Sequence, residues 1–169
     1  MKARVGKYGI RVGMQVEHQL FLANSISILV VAYAAIPFLV CIIVPTKEHF
    51  VWGIAVLVAP VAAEVLKRLT TVLGMGCRRP IGARDCDTWN RGGSQGGAGF
   101  PSGHTATAAA FWMGAALLVP WPMGALALGA VVAMAWARLQ KECHTLLQTV
   151  GGAVLGAGIT VGILGVPKN

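Results

Sequence analysis

An uncharged stretch from Phe21 to Val44 constrains the fold of this chain more than any other feature. It exceeds the roughly 20 apolar residues that a helix needs to cross a bilayer. Only 12% of the 169 residues are charged, about half the fraction usual in soluble domains. The chain is therefore predicted to be a multi-pass integral membrane protein, folded as a single domain over residues 1–169.

Four further apolar stretches complete the prediction of an all-α, polytopic membrane helix bundle with about five transmembrane helices. They run over 50–73, 105–119, 123–137 and 145–166. The third and fourth spans are short, so their ends are expected in the membrane interface. Residues 1–20 are basic and amphipathic, which favours an N-terminal interfacial helix or, alternatively, a disordered basic tail. The charged, glycine-rich stretch 74–100 is predicted to be a loop on the active face.

The order of the crossings places the ends of these spans relative to one another. Span two ends, span three begins, span four ends and span five begins on one face of the membrane. The polar residues near those ends should therefore meet in one interfacial pocket. They are Lys67, Arg78, Arg79, Ser102, His104, Arg138 and His144. Ionisable residues at such positions are costly and usually functional, so this pocket is the candidate site.

Phosphate is the ligand that these residue types favour. Arginine clamps phosphate oxygens, lysine adds a point charge, and the helix predicted to start after Ser102 offers backbone N–H groups to an anion. One histidine can attack phosphorus while a second protonates the leaving oxygen. No acidic cluster suits Mg²⁺ or Ca²⁺, and the histidines and cysteines lack zinc spacing. The sequence thus predicts phosphoryl chemistry that needs neither metal nor cofactor.

The order and spacing of these residues resemble the three signature motifs of the type 2 phosphatidic acid phosphatase superfamily. The similar segments are Lys67 with Arg79-Pro80, then Pro101-Ser102-Gly103-His104, then Arg138 followed after five residues by His144. The resemblance implies that His144 is a nucleophile that forms a phosphohistidine and that His104 protonates the leaving group. It also implies a phosphate cradle made of Lys67, Arg79, Ser102, the backbone N–H of Gly103, and Arg138.

The first motif departs from the family pattern in its spacing. The family has six residues between the lysine and the arginine, whereas eleven separate Lys67 from Arg79. Either the chain carries an insertion here, or Lys67 is a snorkelling lysine that pairs with Glu64. Arg78 could replace Arg79, but the proline that follows favours Arg79.

The third motif departs from the family pattern at position 148. The family usually has an aspartate four residues after the nucleophile, where this chain has Gln148. The stretch from His144 to Gln148 resembles the His-Thr-x-x-Gln variant of dolichyl-diphosphatases and related polyprenyl-diphosphate phosphatases. Positions 144 and 148 would share one helix face. We expect Gln148 to turn its amide oxygen toward the imidazole and to act as a third catalytic residue.

The resemblance implies a membrane lipid phosphatase acting on a lipid phosphate or diphosphate, of the polyprenyl diphosphate or phosphatidate type. A lipid phosphotransferase would share the first half-reaction, and a catalytically weakened structural membrane protein would share the fold. Substrate and membrane lipids are the expected partners, and nucleic acid is not. Glycine pairs at 152/156 and 158/162 could support a homo-oligomer, although ordinary helix packing is the preferred explanation.

Two observations disagree about which side of the membrane holds the site. All Lys and Arg except Lys47 and Lys168 fall on the pocket side, which favours the cytoplasm by the positive-inside rule. The resemblance implies a lumenal or periplasmic site. Cys77 and Cys86 would suit a disulfide only in that oxidising case, whereas Cys143 is interpreted as a small packing residue.

Overall fold

The computed structural model describes residues 7–75, 77–83, 86, 97–119 and 122–165. Within them the chain forms five helices, which are α1 (Lys7–Ile43), α2 (Lys47–Val72), α3 (Gly103–Leu118), α4 (Met123–Gln140) and α5 (Leu146–Leu164). These residues contain no strand, only an isolated bridge between Arg78 and Ala98. The predicted all-α helix bundle is confirmed, while much of the predicted loop 74–100 lies outside the described residues.

Three stretches of these helices are long and apolar enough to cross a membrane, namely Glu17–Ile43, Lys47–Val72 and Leu146–Leu164. α3 and α4 are shorter, as the sequence predicted. Large apolar side chains such as Ile42, Val72 and Leu128 are exposed on the outside of the bundle. Such an apolar exterior would be a liability in water and suits contact with lipid.

The basic N-terminal segment is not a separate helix. From Lys7 onward the chain forms one uninterrupted helix that continues to Ile43. The sequence between the basic segment and the first span contains no proline that would break the helix. The segment is therefore the N-terminal part of α1, and residues 1–6 lie outside the described residues.

α3 lies at the centre of the bundle and contacts each of the other four helices. Its faces are built from buried alanines, which let the neighbouring helices approach closely. Phe111 of α3 stacks on Tyr33 of α1 with ring centroids 4.8 Å apart. Trp52 of α2 is buried beside it and donates its indole N–H to the Phe111 carbonyl at 3.0 Å. This aromatic cluster fixes α1 and α2 against the central helix.

The crossing of α3 and α5 depends on two glycines of α5. A Cβ at Gly152 would collide with the carbonyl oxygen of Ser102, and a Cβ at Gly156 would collide with that of Ala106. Packing between helices of the same chain therefore accounts for Gly152 and Gly156, which is the explanation preferred from the sequence. Gly158 and Gly162 face no atom within 4 Å, and the homo-oligomer stays a prediction. The close crossing brings the N-terminal ends of α3 and α5 together.

Candidate active site

Four helix ends meet on one face of the bundle, as the crossing order predicted. Ser102, just before α3, donates its backbone N–H to the carbonyl of Gln148 on α5 at 2.9 Å. The charges of Arg138 and Lys67 act on both histidines, while Arg79 acts on His144. The structure thus brings together all the side chains that the sequence assigned to the pocket, except that of Arg78, which is exposed.

The start of α3 presents the helix end that was predicted to hold an anion. Ser102 is the N-cap and is fully buried. Its hydroxyl oxygen accepts from the backbone N–H of Thr105 at 3.5 Å and from the Thr105 hydroxyl at 3.1 Å. Two acceptor positions are then used, so its O–H hydrogen remains to donate to a ligand. Gly103 is the first helical residue, where a backbone N–H has no partner within the helix.

Lys67 lies beside this helix start. A Cβ added to Gly103 would lie 3.7 Å from the Lys67 ammonium nitrogen. The same nitrogen lies 3.3 Å from Glu64, whose side chain is half exposed. The lysine therefore pairs with Glu64 and also faces the pocket, so the two interpretations of it are compatible.

The long spacing between Lys67 and Arg79 has a structural explanation. α2 continues past the lysine to Val72, and the chain turns at Gly74, which has a φ of 65°. Glycine adopts this left-handed conformation without the penalty that a side chain would bring. The extra residues thus extend the helix and form the turn that returns the chain to the site.

Two buried arginines supply the rest of the positive charge. Arg79 donates from Nε to the carbonyl of Ala98 at 3.1 Å. Arg138 is fully buried, donating from Nη1 to the hydroxyl of Ser27 at 3.3 Å and from Nη2 to the carbonyl of Cys86. Of the charged groups that act on each histidine, Arg138 has the largest effect.

His144 does not lie on α5, so the prediction that it shares a helix face with Gln148 is wrong. Thr145 is the N-cap of α5, and His144 precedes it. The imidazole Nδ1 lies 2.9 Å from the carbonyl of Gly99 and 3.3 Å from Oε1 of Gln148. Because both neighbours are acceptors, Nδ1 carries the hydrogen, and Nε2 keeps its lone pair.

Gln148 turns its amide oxygen toward His144, as the sequence predicted, but other contacts hold it there. Its Oε1 accepts from the backbone N–H of Thr145 at 3.0 Å, and its Nε2 donates to the carbonyl of Arg78 at 2.8 Å. The Thr145 hydroxyl accepts from the Gln148 backbone N–H at 3.3 Å, which completes a capping box. A donor on one side and an acceptor on the other fix the orientation of the amide.

The environment of His144 keeps its imidazole neutral. Burial, followed by the positive charges of Arg138, Arg79 and Lys67, lowers the pKa of His144 from 6.5 to about 3. The hydrogen bond to the carbonyl of Gly99 acts in the opposite direction. A neutral ring with a lone pair on Nε2 is the form that can act as a nucleophile.

The disulfide differs from the one considered for this sequence. Cys86 pairs with Cys143, and Cys77 is free. The interpretation of Cys143 as a small packing residue is therefore wrong. The bond joins the loop to the turn between α4 and α5, immediately before His144. Closeness in sequence favoured Cys77 as the partner of Cys86, but the fold brings Cys86 to the turn that carries Cys143.

Sequence reasoning missed the backbone groups that position the imidazole of His144 and the amide of Gln148. The carbonyls of Gly99 and Arg78 carry no side-chain signal, since every residue has one. The capping box, by contrast, was readable as Thr145 followed three residues later by Gln148. Among the described residues, no group of three or more His, Cys, Asp or Glu could hold a metal; metal independence itself stays a prediction.

The comparison with protein families agrees with this geometry. The model of the PAP2 superfamily matches residues 49–169, a range that contains His104, His144 and all the residues that were predicted to cradle phosphate. No curated protein and no solved structure matches the chain. The family match covers most of the chain, and so the protein belongs to the PAP2 superfamily.

Proposed function

We propose that the protein is a membrane lipid phosphatase that cleaves a lipid phosphate or diphosphate through a phosphohistidine at His144. Membership of the PAP2 superfamily indicates phosphatase activity on phosphate esters. The observation that carries the finer proposal is the state of His144. Its Nδ1 hydrogen is directed at Gly99 and its Nε2 lone pair is retained, among the charges of Lys67, Arg79 and Arg138.

The reaction follows from these groups in two steps. In the first, Nε2 of His144 bonds to phosphorus while the bond from phosphorus to the lipid-side oxygen breaks. His104, which takes up a proton when the anionic phosphate group binds beside it, gives that proton to the leaving oxygen. The cradle cations stabilise the charge that develops on the phosphoryl oxygens. In the second, water attacks phosphorus, His104 accepts its proton, and the bond to Nε2 breaks. Inorganic phosphate leaves, and both histidines return to their starting state.

An apolar cavity of about 390 Å³ supports a substrate with a long hydrocarbon tail. It lies between α3, α4 and α5, with Ala109, Ala116 and Gly124 among its lining residues. At 1.5 Å per helical residue, it begins roughly 8 Å below His104 along α3 and ends roughly 18 Å below it. A lipid whose phosphate occupies the proposed cradle could place a long hydrocarbon tail in this cavity, and both a polyprenyl chain and a long acyl chain are long enough to reach it.

The test is phosphate release by the full-length protein from polyprenyl diphosphate, phosphatidate and diacylglycerol diphosphate, with a chelator present. We expect turnover by the wild type and none by His144→Ala or His104→Ala. His18→Ala is the matched control, because His18 is exposed on α1 and is not among the groups that act on either His104 or His144. Labelled phosphate trapped on the wild type should be acid-labile and alkali-stable, as a phosphoramidate is, and should be absent from His144→Ala.

Full activity of a folded His144→Ala protein would exclude the proposed nucleophile. Release of phosphate from a single lipid with no lipid acceptor identifies a hydrolase. Turnover that requires a second lipid, which then becomes phosphorylated, identifies a phosphotransferase. Loss of activity when the chelator is added would contradict the metal-independent mechanism.

A further inference from the structure

We infer that Cys86 is a positioning residue: its disulfide to Cys143 holds the Cys86 carbonyl against Arg138 and so makes the phosphate site dependent on oxidation. The activity arm of the test rests on the proposed function, whereas its phosphate-binding arm does not. Two contacts carry the inference. The Cys86 carbonyl accepts from Arg138 Nη2, and the Cys143 backbone N–H donates to the Arg138 carbonyl at 3.1 Å. Both halves of the disulfide thus contact one arginine.

The position of this arginine gives those contacts their importance. Arg138 is fully buried, and it has the largest effect among the charged groups acting on each histidine. Cys143 also directly precedes His144, so the same bond anchors the turn that carries the nucleophile. Cys86 and Cys143 are themselves buried and pack with Ala83 in a small cluster of their own. A few small side chains bury little apolar area, so the covalent bond contributes a strong direct link between the loop and this turn.

Reduction would release this link. A dithiol such as dithiothreitol transfers two electrons and two protons to the pair, the Sγ–Sγ bond breaks, and dithiothreitol becomes its cyclic disulfide. Cys86 is then no longer tied to Cys143, and because 57 positions separate the two in sequence, no short stretch of chain keeps them together. The Cys86 carbonyl is no longer held beside the guanidinium of Arg138. Without this positioned acceptor, the arginine side chain no longer keeps one geometry. We expect phosphate affinity to fall while the helix bundle remains folded.

The first experiment measures the calorimetric Kd for inorganic phosphate with the oxidised full-length protein, before and after dithiothreitol. We expect Kd to rise about tenfold on reduction, which is an order-of-magnitude estimate for one charged contact, and to recover on reoxidation. Cys86→Ser should bind weakly from the start and ignore the reductant. Cys77→Ser and Cys41→Ser are the matched controls, because those cysteines are free, and they should respond as the wild type does.

A second variant separates positioning from general support of the fold. In Arg138→Ala, reduction should leave Kd for phosphate unchanged, because the group that the disulfide positions is absent. Turnover should follow binding, with KM rising more than kcat falls. Unchanged Kd and kcat/KM in the reduced wild type would overturn the inference, as would loss of the cooperative unfolding transition on reduction. Phosphate binding that responds as expected in a protein without turnover would refute only the proposed function.

Discussion

Replacing Gln148 by alanine tests how this chain manages without the aspartate that its family usually has. The glutamine side chain contacts Thr145 at 3.0 Å, Arg78 at 2.8 Å and His144 at 3.3 Å. The first two are well-formed hydrogen bonds: the bond from Thr145 belongs to the capping box at the start of α5, and the bond to Arg78 joins α5 to the returning loop. The third is the longest, and Gly99 offers the imidazole a nearer acceptor at 2.9 Å.

These contacts set the expected magnitudes. Losing two buried neutral hydrogen bonds should lower the free energy of unfolding by about 2 kcal/mol, at roughly 1 kcal/mol each. The Gly99 carbonyl still accepts the Nδ1 hydrogen, so the correct tautomer survives in Gln148→Ala. Losing the contact between Gln148 Oε1 and the imidazole should lower kcat by at least about tenfold, or ~1.4 kcal/mol. The loss should remain far below the about 10⁴ seen when a catalytic histidine adopts the wrong tautomer.

Two acidic variants separate charge from hydrogen bonding. A carboxylate at position 148 stabilises the protonated imidazole, so it should raise the pKa of His144 above its value of about 3. Gln148→Asp should keep activity and show an acidic limb of kcat/KM at higher pH. Gln148→Glu should also shift the limb but unfold at lower temperature, because it turns an oxygen toward the Arg78 carbonyl.

The assays are kcat/KM against pH and thermal unfolding of the purified protein. Gln140→Ala is the control, since Gln140 is exposed at the end of α4. If Gln148→Ala had wild-type kcat, the glutamine would orient nothing, and Gly99 alone would position the nucleophile. A loss near 10⁴ would mean that the Gly99 carbonyl does not fix the tautomer.

Three further outcomes follow from the packing and charge of the site. Gly156→Ala should lower the free energy of unfolding by about 1–3 kcal/mol, since its Cβ would collide with the backbone of α3. Gly158→Ala, whose Cβ meets open space, should unfold at or slightly above the wild-type temperature, because alanine favours the helix over glycine. Arg79→Lys should raise KM about tenfold by removing a bidentate donor, whereas Arg78→Lys, on an exposed side chain, should not. In the wild type, kcat/KM should show no acidic limb from His144 near pH 6.5, because the lowered pKa keeps the ring neutral there. A limb near 6.5 that Gln148→Asp moves to higher pH would belong to His144 and would contradict this prediction.

The bundle was predictable because length and apolarity alone decide whether a segment can cross a bilayer. The run from Phe21 to Val44 lies in α1 except for its last residue, and the crossing order then places four helix ends on one face. The continuation of α1 back to Lys7 was not predictable, because basic amphipathic sequence suits a helix on the membrane surface as well as one that extends a span.

Within the site, the groups that could be predicted are side chains, and those that could not are backbone carbonyls. His104, His144 and Arg138 were found because their side chains have distinctive chemistry. The carbonyls that orient His144 and Gln148 were not found, because any residue can supply one and only the folded chain shows which does. The pairing of Cys86 with Cys143 was missed for a related reason, since proximity along the chain does not decide which thiols meet in space.

The contact between α1 and Arg138 sets the size of the smallest working unit. The family match begins at residue 49, after α1 has ended. Ser27 of α1 nevertheless accepts a hydrogen bond from Arg138, and Tyr33 of the same helix stacks on Phe111. A chain shortened to the matched range would keep His104, His144 and the residues proposed to cradle phosphate. It would also lose the helix that shields a buried guanidinium from hydrocarbon, where a charge is costly. Any minimal or transplanted version of this protein must therefore carry α1.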